Sequence, residues 1–169
     1  MKIKSLILIA LVLSTASIAL GQGGRAAPRT AESNRPVGTF VASRFVHSVK
    51  VDGRNGVMIY VNFKIKNALD YPYKMIAYFY NDTDGKALVS GEEVKYRTVT
   101  KNVSSSTIFT PGHADAVYKD LKIFIPYDAL NLGAQRGDIF DLKYYLSMYN
   151  DYDKEVTAKS GWYKFSVQF

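Results

Sequence analysis

Val57-Met58-Ile59-Tyr60-Val61-Asn62-Phe63-Lys64-Ile65-Lys66 alternates with a period of two. Val57, Ile59, Val61, Phe63 and Ile65 fall on one side of an extended chain, and Met58, Tyr60, Asn62, Lys64 and Lys66 on the other. A strand with one face in a core and one toward solvent has this pattern. Upstream, residues 39–51 carry Val41, Phe45, His47, Val49 and Val51 on one parity, and Asp52-Gly53-Arg54-Asn55-Gly56 is rich in turn residues. The two segments therefore predict a β-hairpin. Downstream, residues 73–80 are apolar and aromatic on both parities and are closed by Asn81-Asp82-Thr83-Asp84-Gly85-Lys86. Such a run predicts a central strand. Further strands are expected at 94–99, 105–110, 116–125, 139–149 and 156–169, and one helical turn at 127–132, ended by Gly133. Seven to nine strands with frequent turns, no long amphipathic helix and no fixed-period repeat predict an all-β fold, an antiparallel β-sandwich over residues 37–169. The alternative is a small eight-stranded outer-membrane β-barrel, because Tyr163, Phe165, Val167 and Phe169 share a parity in a pattern similar to the last strand of such barrels.

The chain has 169 residues, no cysteine, and 22 Lys and Arg against 15 Asp and Glu, a formal charge of +7. Lys2 and Lys4 precede an apolar run at 6–13, and Ala19 and Gly21 supply small residues at a cleavage position. This layout predicts a signal peptide over 1–21, removed before Gln22. The run is too short and too rich in Ser and Thr for a membrane span, so no transmembrane helix is expected after cleavage. Loss of Lys2 and Lys4 takes the charge from +7 to +5. Residues 22–36 are made mainly of Gly, Ala, Ser, Thr, Arg, Asn and Pro with no large apolar side chain, and predict a flexible tether. The lack of cysteine excludes disulfide scaffolds, thiol catalysis and cysteine metal sites, and fits a bacterial exported protein, periplasmic or extracellular.

Phe45-Val46-His47, Gly56-Val57-Met58-Ile59, Tyr78-Phe79-Tyr80, Asp84-Gly85-Lys86-Ala87-Leu88, Phe124-Ile125-Pro126-Tyr127, Leu130-Asn131-Leu132 and residues 162–165 follow one another in order. This succession resembles an immunoglobulin-like or C2-like β-sandwich domain of unassigned function found in exported bacterial proteins, sometimes beside caspase-like peptidase domains. The resemblance implies a fold and carries no catalytic residue, since its motifs are strand ends and turns.

Histidine is the usual general base, and the chain has only His47 and His113. His47 shares the parity of Phe45 and Val49, which predicts a packed or rim position. His113 with Asp115 is the one pairing that suggests a hydrolase, and it supplies only two metal ligands where zinc needs three or four. Ser104, Ser105 and Ser106 lack the glycine elbow of a hydrolase nucleophile. Asp82 and Asp84 before Gly85 do not fit an EF-hand, because Tyr80 would occupy its first position and Gly91 its twelfth. A C2-type calcium site would combine Asp82 and Asp84 with Asp151 and Asp153, and requires their two loops to meet at one end of the sandwich. No glycine-rich loop joins a strand to a helix, which argues against nucleotide chemistry. No cofactor is expected.

Strand parity points Tyr60, Lys64 and Lys66 outward, together with Lys143, Tyr145 and Tyr149, and with Trp162 and Lys164. If these strands share one sheet, its outer face is aromatic and basic. Such a face suits a binding module for an envelope or extracellular macromolecule, a protein or a glycan, by stacking and by attraction to acidic groups. Export and a modest charge argue against nucleic acid. The sequence thus predicts a non-enzymatic binding domain.

Overall fold

The structure, a computed structural model, describes residues 34–68 and 70–169. The leader expected over 1–21 and the tether up to residue 33 lie outside the described residues. Strand β1 (Val37–Val51) and strand β2 (Arg54–Lys66) pair from Val37↔Lys66 to Val51↔Arg54. The hairpin turns on Asp52 and Gly53, both at positive φ (49° and 81°). That is the two-residue mirror-image turn whose twist matches the flanking strands, with Gly in the place that tolerates it.

The inner face read in β2 holds, with Val57, Ile59, Val61, Phe63 and Ile65 all buried, but on the other side Met58 is buried as well and only Lys64 and Lys66 are exposed. The single parity expected for β1 fails. Phe40 opposes Phe63 and Ala42 opposes Asn62, so Val41 is an extra, bulged residue. Val41 is therefore 60% exposed, while Phe40 and Phe45, five residues apart, both pack against the core. A bulge shifts the register of alternation by one residue, and no local composition marks it.

The remaining strands are β3 (Tyr73–Asn81), β4 (Ser104–Phe109), β5 (Ala116–Pro126), β6 (Ile139–Asn150) and β7 (Val156–Gln168). They form two antiparallel sheets, one in the order β1-β2-β5 and the other in the order β4-β3-β6-β7. Among the described residues this is a β-sandwich architecture with seven strands in two open sheets and no closed barrel, in place of the eight-stranded barrel alternative. Strand β3 is central, as expected. Its inner side chains Tyr73, Met75, Ala77 and Phe79 are fully buried against Phe63, Tyr144 and Leu146 of the shared core. Two expected elements are corrected. Residues 94–99 form no strand but a 3-10 turn at Val94–Tyr96, in which Tyr96 alone is buried. The helical turn spans Tyr127–Leu130 and stops before Gly133, because Asn131 takes the left-handed conformation (φ 53°).

Each open side of the sandwich is tied across the two sheets. On the β1/β7 side, Gly38 sits so close to Met148 and Ala158 that an added Cβ would lie 2.8 Å from Met148 Sδ, and the Ser43 and Tyr144 hydroxyls hydrogen-bond at 2.8 Å. On the β4/β5 side, Ser105 Oγ donates to the Phe124 carbonyl at 2.5 Å.

Candidate functional site on the four-stranded sheet

Alternation along β3, β6 and β7 turns every second side chain away from the core, and the pairing register decides which of them become neighbours. Tyr78 stands opposite Tyr145, and Tyr145 opposite Trp162, giving one aromatic row across three strands. In the next row Tyr80 stands opposite Lys143, and Lys143 opposite Lys164. The rings touch. Tyr78 and Tyr145 are stacked with centroids 5.0 Å apart. Trp162 meets Tyr145 edge to face at 5.2 Å and Tyr80 edge to face at 5.0 Å. Trp162 is 53% exposed, and the three tyrosines are half-buried by one another. Edge-to-face and offset-stacked pairs at these separations are the favoured aromatic geometries.

Asp82 completes the patch. Its amide donates to the Asp141 carbonyl at 2.9 Å, which folds the residue back beside β6. Its carboxylate receives Lys164 Nζ at 2.8 Å and Lys143 Nζ at 3.4 Å. The hydrogen bond from Lys164 holds the Asp82 carboxyl below the usual range, opposed by partial burial and supported by Lys143, and the same contact raises Lys164. Lys143 Nζ also lies 5.3 Å from the Trp162 ring. The lysines are thus engaged by a carboxylate and a ring, so the patch is more aromatic than basic. Desolvation, with Tyr80 beside it, pushes the Tyr145 hydroxyl up to about 12, and Tyr78 is raised for the same first reason.

The expected binding set does not lie on one face. Lys143, Tyr145, Tyr149, Trp162 and Lys164 belong to the four-stranded sheet, whereas Tyr60, Lys64 and Lys66 sit on β2 in the other sheet. Parity tells which side of a strand a residue takes, but not which sheet the strand joins. On that second sheet the Tyr60 ring is covered by the Arg44 guanidinium, 3.8 Å from its centroid, and Arg44 is paired with Asp120 at 3.1 Å. Lys64 and Lys66 are exposed there. Tyr149 pairs in register with Lys74, four residues along β6 from the aromatic row. The sequence does not place Tyr78 and Tyr80 on the binding face, and it offers Asp82 only as a calcium candidate. The signal for the two tyrosines was present in the unbroken apolar run of β3, whose second face is this patch rather than more core.

The four calcium candidates are not brought together. Asp82 follows β3 beside the start of β6, while Asp151 donates its amide to Pro72 at the opposite end of β3. Nine strand residues separate the two loops, about 30 Å of rise. Each carboxylate also has local work: Asp84 with Lys86, Asp151 with Lys154, and Asp153 with Asn150 Nδ2 and the Glu155 amide. Among the described residues no group of three His, Asp or Glu side chains is placed to hold a metal ion. His113 and Asp115 are exposed on the β4–β5 loop, and Asp115 accepts the Asn67 amide at 3.4 Å rather than a histidine N–H. His47 occupies the rim, with its ring 5.2 Å from Phe45 and Nδ1 3.4 Å from the Tyr127 hydroxyl. Ser104 and Ser105 are buried strand residues. Comparison with protein families, curated proteins and solved structures finds no match to this chain.

Proposed function

We propose that the chain is an exported, non-enzymatic immunoglobulin-like module that binds an envelope or extracellular glycan through Tyr78, Tyr80, Tyr145 and Trp162. The observation that carries this reading is the contiguity of four rings on a sheet face, Tyr80, Tyr145 and Trp162 touching one another and Tyr78 stacked on Tyr145, with the tryptophan more than half exposed. Exposed aromatic groups of this kind are what binding surfaces are made of, and single scattered ones are not. A glycan is favoured over an acidic protein because Asp82 already engages Lys143 and Lys164, leaving rings for the C–H faces of sugars and charged groups for their hydroxyls. The strand order supports the immunoglobulin-like part. Constant-type immunoglobulin domains place their first, second, fifth and fourth strands in one sheet and the third, sixth and seventh in the other. Moving the fourth strand across gives β1-β2-β5 and β4-β3-β6-β7. The export part rests on the leader-like residues 1–21.

Trp162 is the only tryptophan of the chain, so its emission reads the patch directly. Titration of residues 22–169 with soluble envelope polysaccharide fractions is expected to give a saturable emission change. Calorimetry on Trp162→Ala and Tyr80→Ala is expected to lose binding while circular dichroism stays unchanged. Saturable binding of a protein fraction alone would replace the glycan by a protein partner. Unchanged affinity in both folded variants would overturn the site.

A further inference from the structure

Sheet edges expose unpaired main-chain groups, and proteins blunt them with bulges, charges or proline. The sandwich has four edge strands, β1, β5, β4 and β7. Three are visibly blunted. Strand β1 carries two bulges, β5 gains one extra residue around Asp120 opposite Val61–Phe63, and β7 gains one around Ser160 opposite Tyr145–Ser147 and one at Thr157. All three also carry lysines or arginines. Strand β4, Ser-Ser-Ser-Thr-Ile-Phe, has no charge, no proline and an unshifted register with β3. Among the described residues no other main chain pairs with β4 on the side away from β3. Ile108 on this strand is 63% exposed.

A groove of about 670 Å³ runs along this edge, and its walls include Ser105–Ile108, Lys74, Lys95, Lys122 and Arg54, with Asp52 as the one acidic residue of the lining. Arg54 is already spent on structure. It donates to both carboxylate oxygens of Glu93 at 2.9 Å and to Asp128 at 2.6 Å, contacts that hold the 3-10 turns beside the groove. Lys74, Lys95 and Lys122 make no ion pair among the described residues. The groove therefore joins an open strand edge to three unneutralised cations.

We propose that β4 receives an extended acidic segment of another protein by strand addition, with its main chain pairing at the reachable stretch Ser106–Ile108 and its carboxylates facing Lys74, Lys95 and Lys122. Ser104, Ser105 and Phe109 are buried, so the reachable edge is Ser106–Ile108, about 10 Å, enough to pair with the centre of one short peptide. The site is separate from the aromatic patch and does not depend on it.

The test uses an eight-residue fluorescent peptide that alternates Glu with Val or Thr. It is compared with the same peptide N-methylated at alternate amides and with a version carrying Lys for Glu. The acidic peptide is expected to bind, to slow amide exchange within residues 104–109, and to lose affinity by about tenfold or more on N-methylation. Lys74→Ala/Lys95→Ala/Lys122→Ala, all solvent-reachable positions, is expected to weaken it by about tenfold, and the Lys peptide is expected not to bind. Trp162→Ala is expected to leave affinity unchanged. No binding up to about 1 mM, equal binding of the N-methylated peptide, or displacement by an acidic polysaccharide with no exchange protection in β4 would each overturn strand addition.

Discussion

Gly56 and Gly161 are both strand glycines, and the structure assigns opposite outcomes to the same change. A Cβ added at Gly56 would lie 2.2 Å from the Ile125 carbonyl oxygen and 2.6 Å from Pro126 Cα, both main-chain atoms of the paired strand β5. A carbon normally approaches such an oxygen to about 3.3 Å. Gly56→Ala therefore forces β2 and β5 apart by about 1 Å where Gly56 faces Pro126. Overpacking of this kind costs about 1–3 kcal/mol, partly offset by the backbone freedom that glycine loses on folding, worth about 0.5–1 kcal/mol. At Gly161 nothing lies within 4 Å of the added Cβ, so only the second effect acts. Gly161→Ala should stabilise by about 0.5–1 kcal/mol. Urea titrations of both variants beside the wild type check this, read as midpoints at constant slope. The net cost of about 0.5–2 kcal/mol should also lower the melting temperature of Gly56→Ala by about 2–8 °C, given about 3–4 °C per kcal/mol for a domain of this size. Equal midpoints for the two variants, or a Gly56→Ala protein more stable than the wild type, would refute the steric argument.

Further outcomes follow from the core and from the patch. Phe63 is fully buried, stacked on Tyr118 at 4.7 Å and edge-on to Phe109 at 5.0 Å, so Phe63→Ala should cost about 3–5 kcal/mol by denaturant unfolding. Ultraviolet titration of the tyrosines should show two late hydroxyls near 12, Tyr144 and Tyr145, both raised by burial, and Tyr145→Phe should remove one of them. Because these folded-state values are raised, the stability they contribute is complete below the unfolded tyrosine value and is lost as pH rises through about 12. Asp82 behaves in the opposite sense. Its folded value is lowered by Lys164, so its contribution is present above the unfolded carboxylate value and disappears as pH falls through the lowered one. Asp82→Asn should flatten that acid limb in thermal scans run at several pH values.

The fold class was legible because its determinants are local. The alternation of β2 and the Asp52-Gly53 turn state their own structure, and the seven strands follow from repeated instances of the same two signals. Strand β1 was misread where the fold depended on a bulge at Val41, since an extra residue in one strand is defined only by its partner. Residues 94–99 look like a strand by composition, yet Val94 and Val99 are exposed and only Tyr96 finds the core. The candidate site was half legible for a related reason. Outward positions Tyr145, Trp162, Lys143 and Lys164 can be counted off a strand, but their union with Tyr78 and Tyr80, and their separation from Tyr60, follow from sheet membership. That property arises from contacts between residues far apart in sequence. The neutralising role of Asp82 was hidden in the same way, because an aspartate after a strand reads first as a turn former.

The paths of β1 and β7 have a mechanical consequence. Gly38, at the beginning of β1, lies against Met148 and Ala158 near the beginning of β7, while Tyr127, hydrogen-bonded to Ser48 near the far end of β1, touches Phe169 just past the end of β7. The two strands thus run in the same direction on facing sheets, from one pole of the sandwich to the other. Tension applied between residues 37 and 168 pulls them oppositely along their own axes. The load falls on the β1–β2 and β6–β7 ladders as shear, so many hydrogen bonds must break together instead of unzipping in turn. Force spectroscopy between those points should record one high rupture step, and peeling the domain from the Asp52-Gly53 turn should require less force.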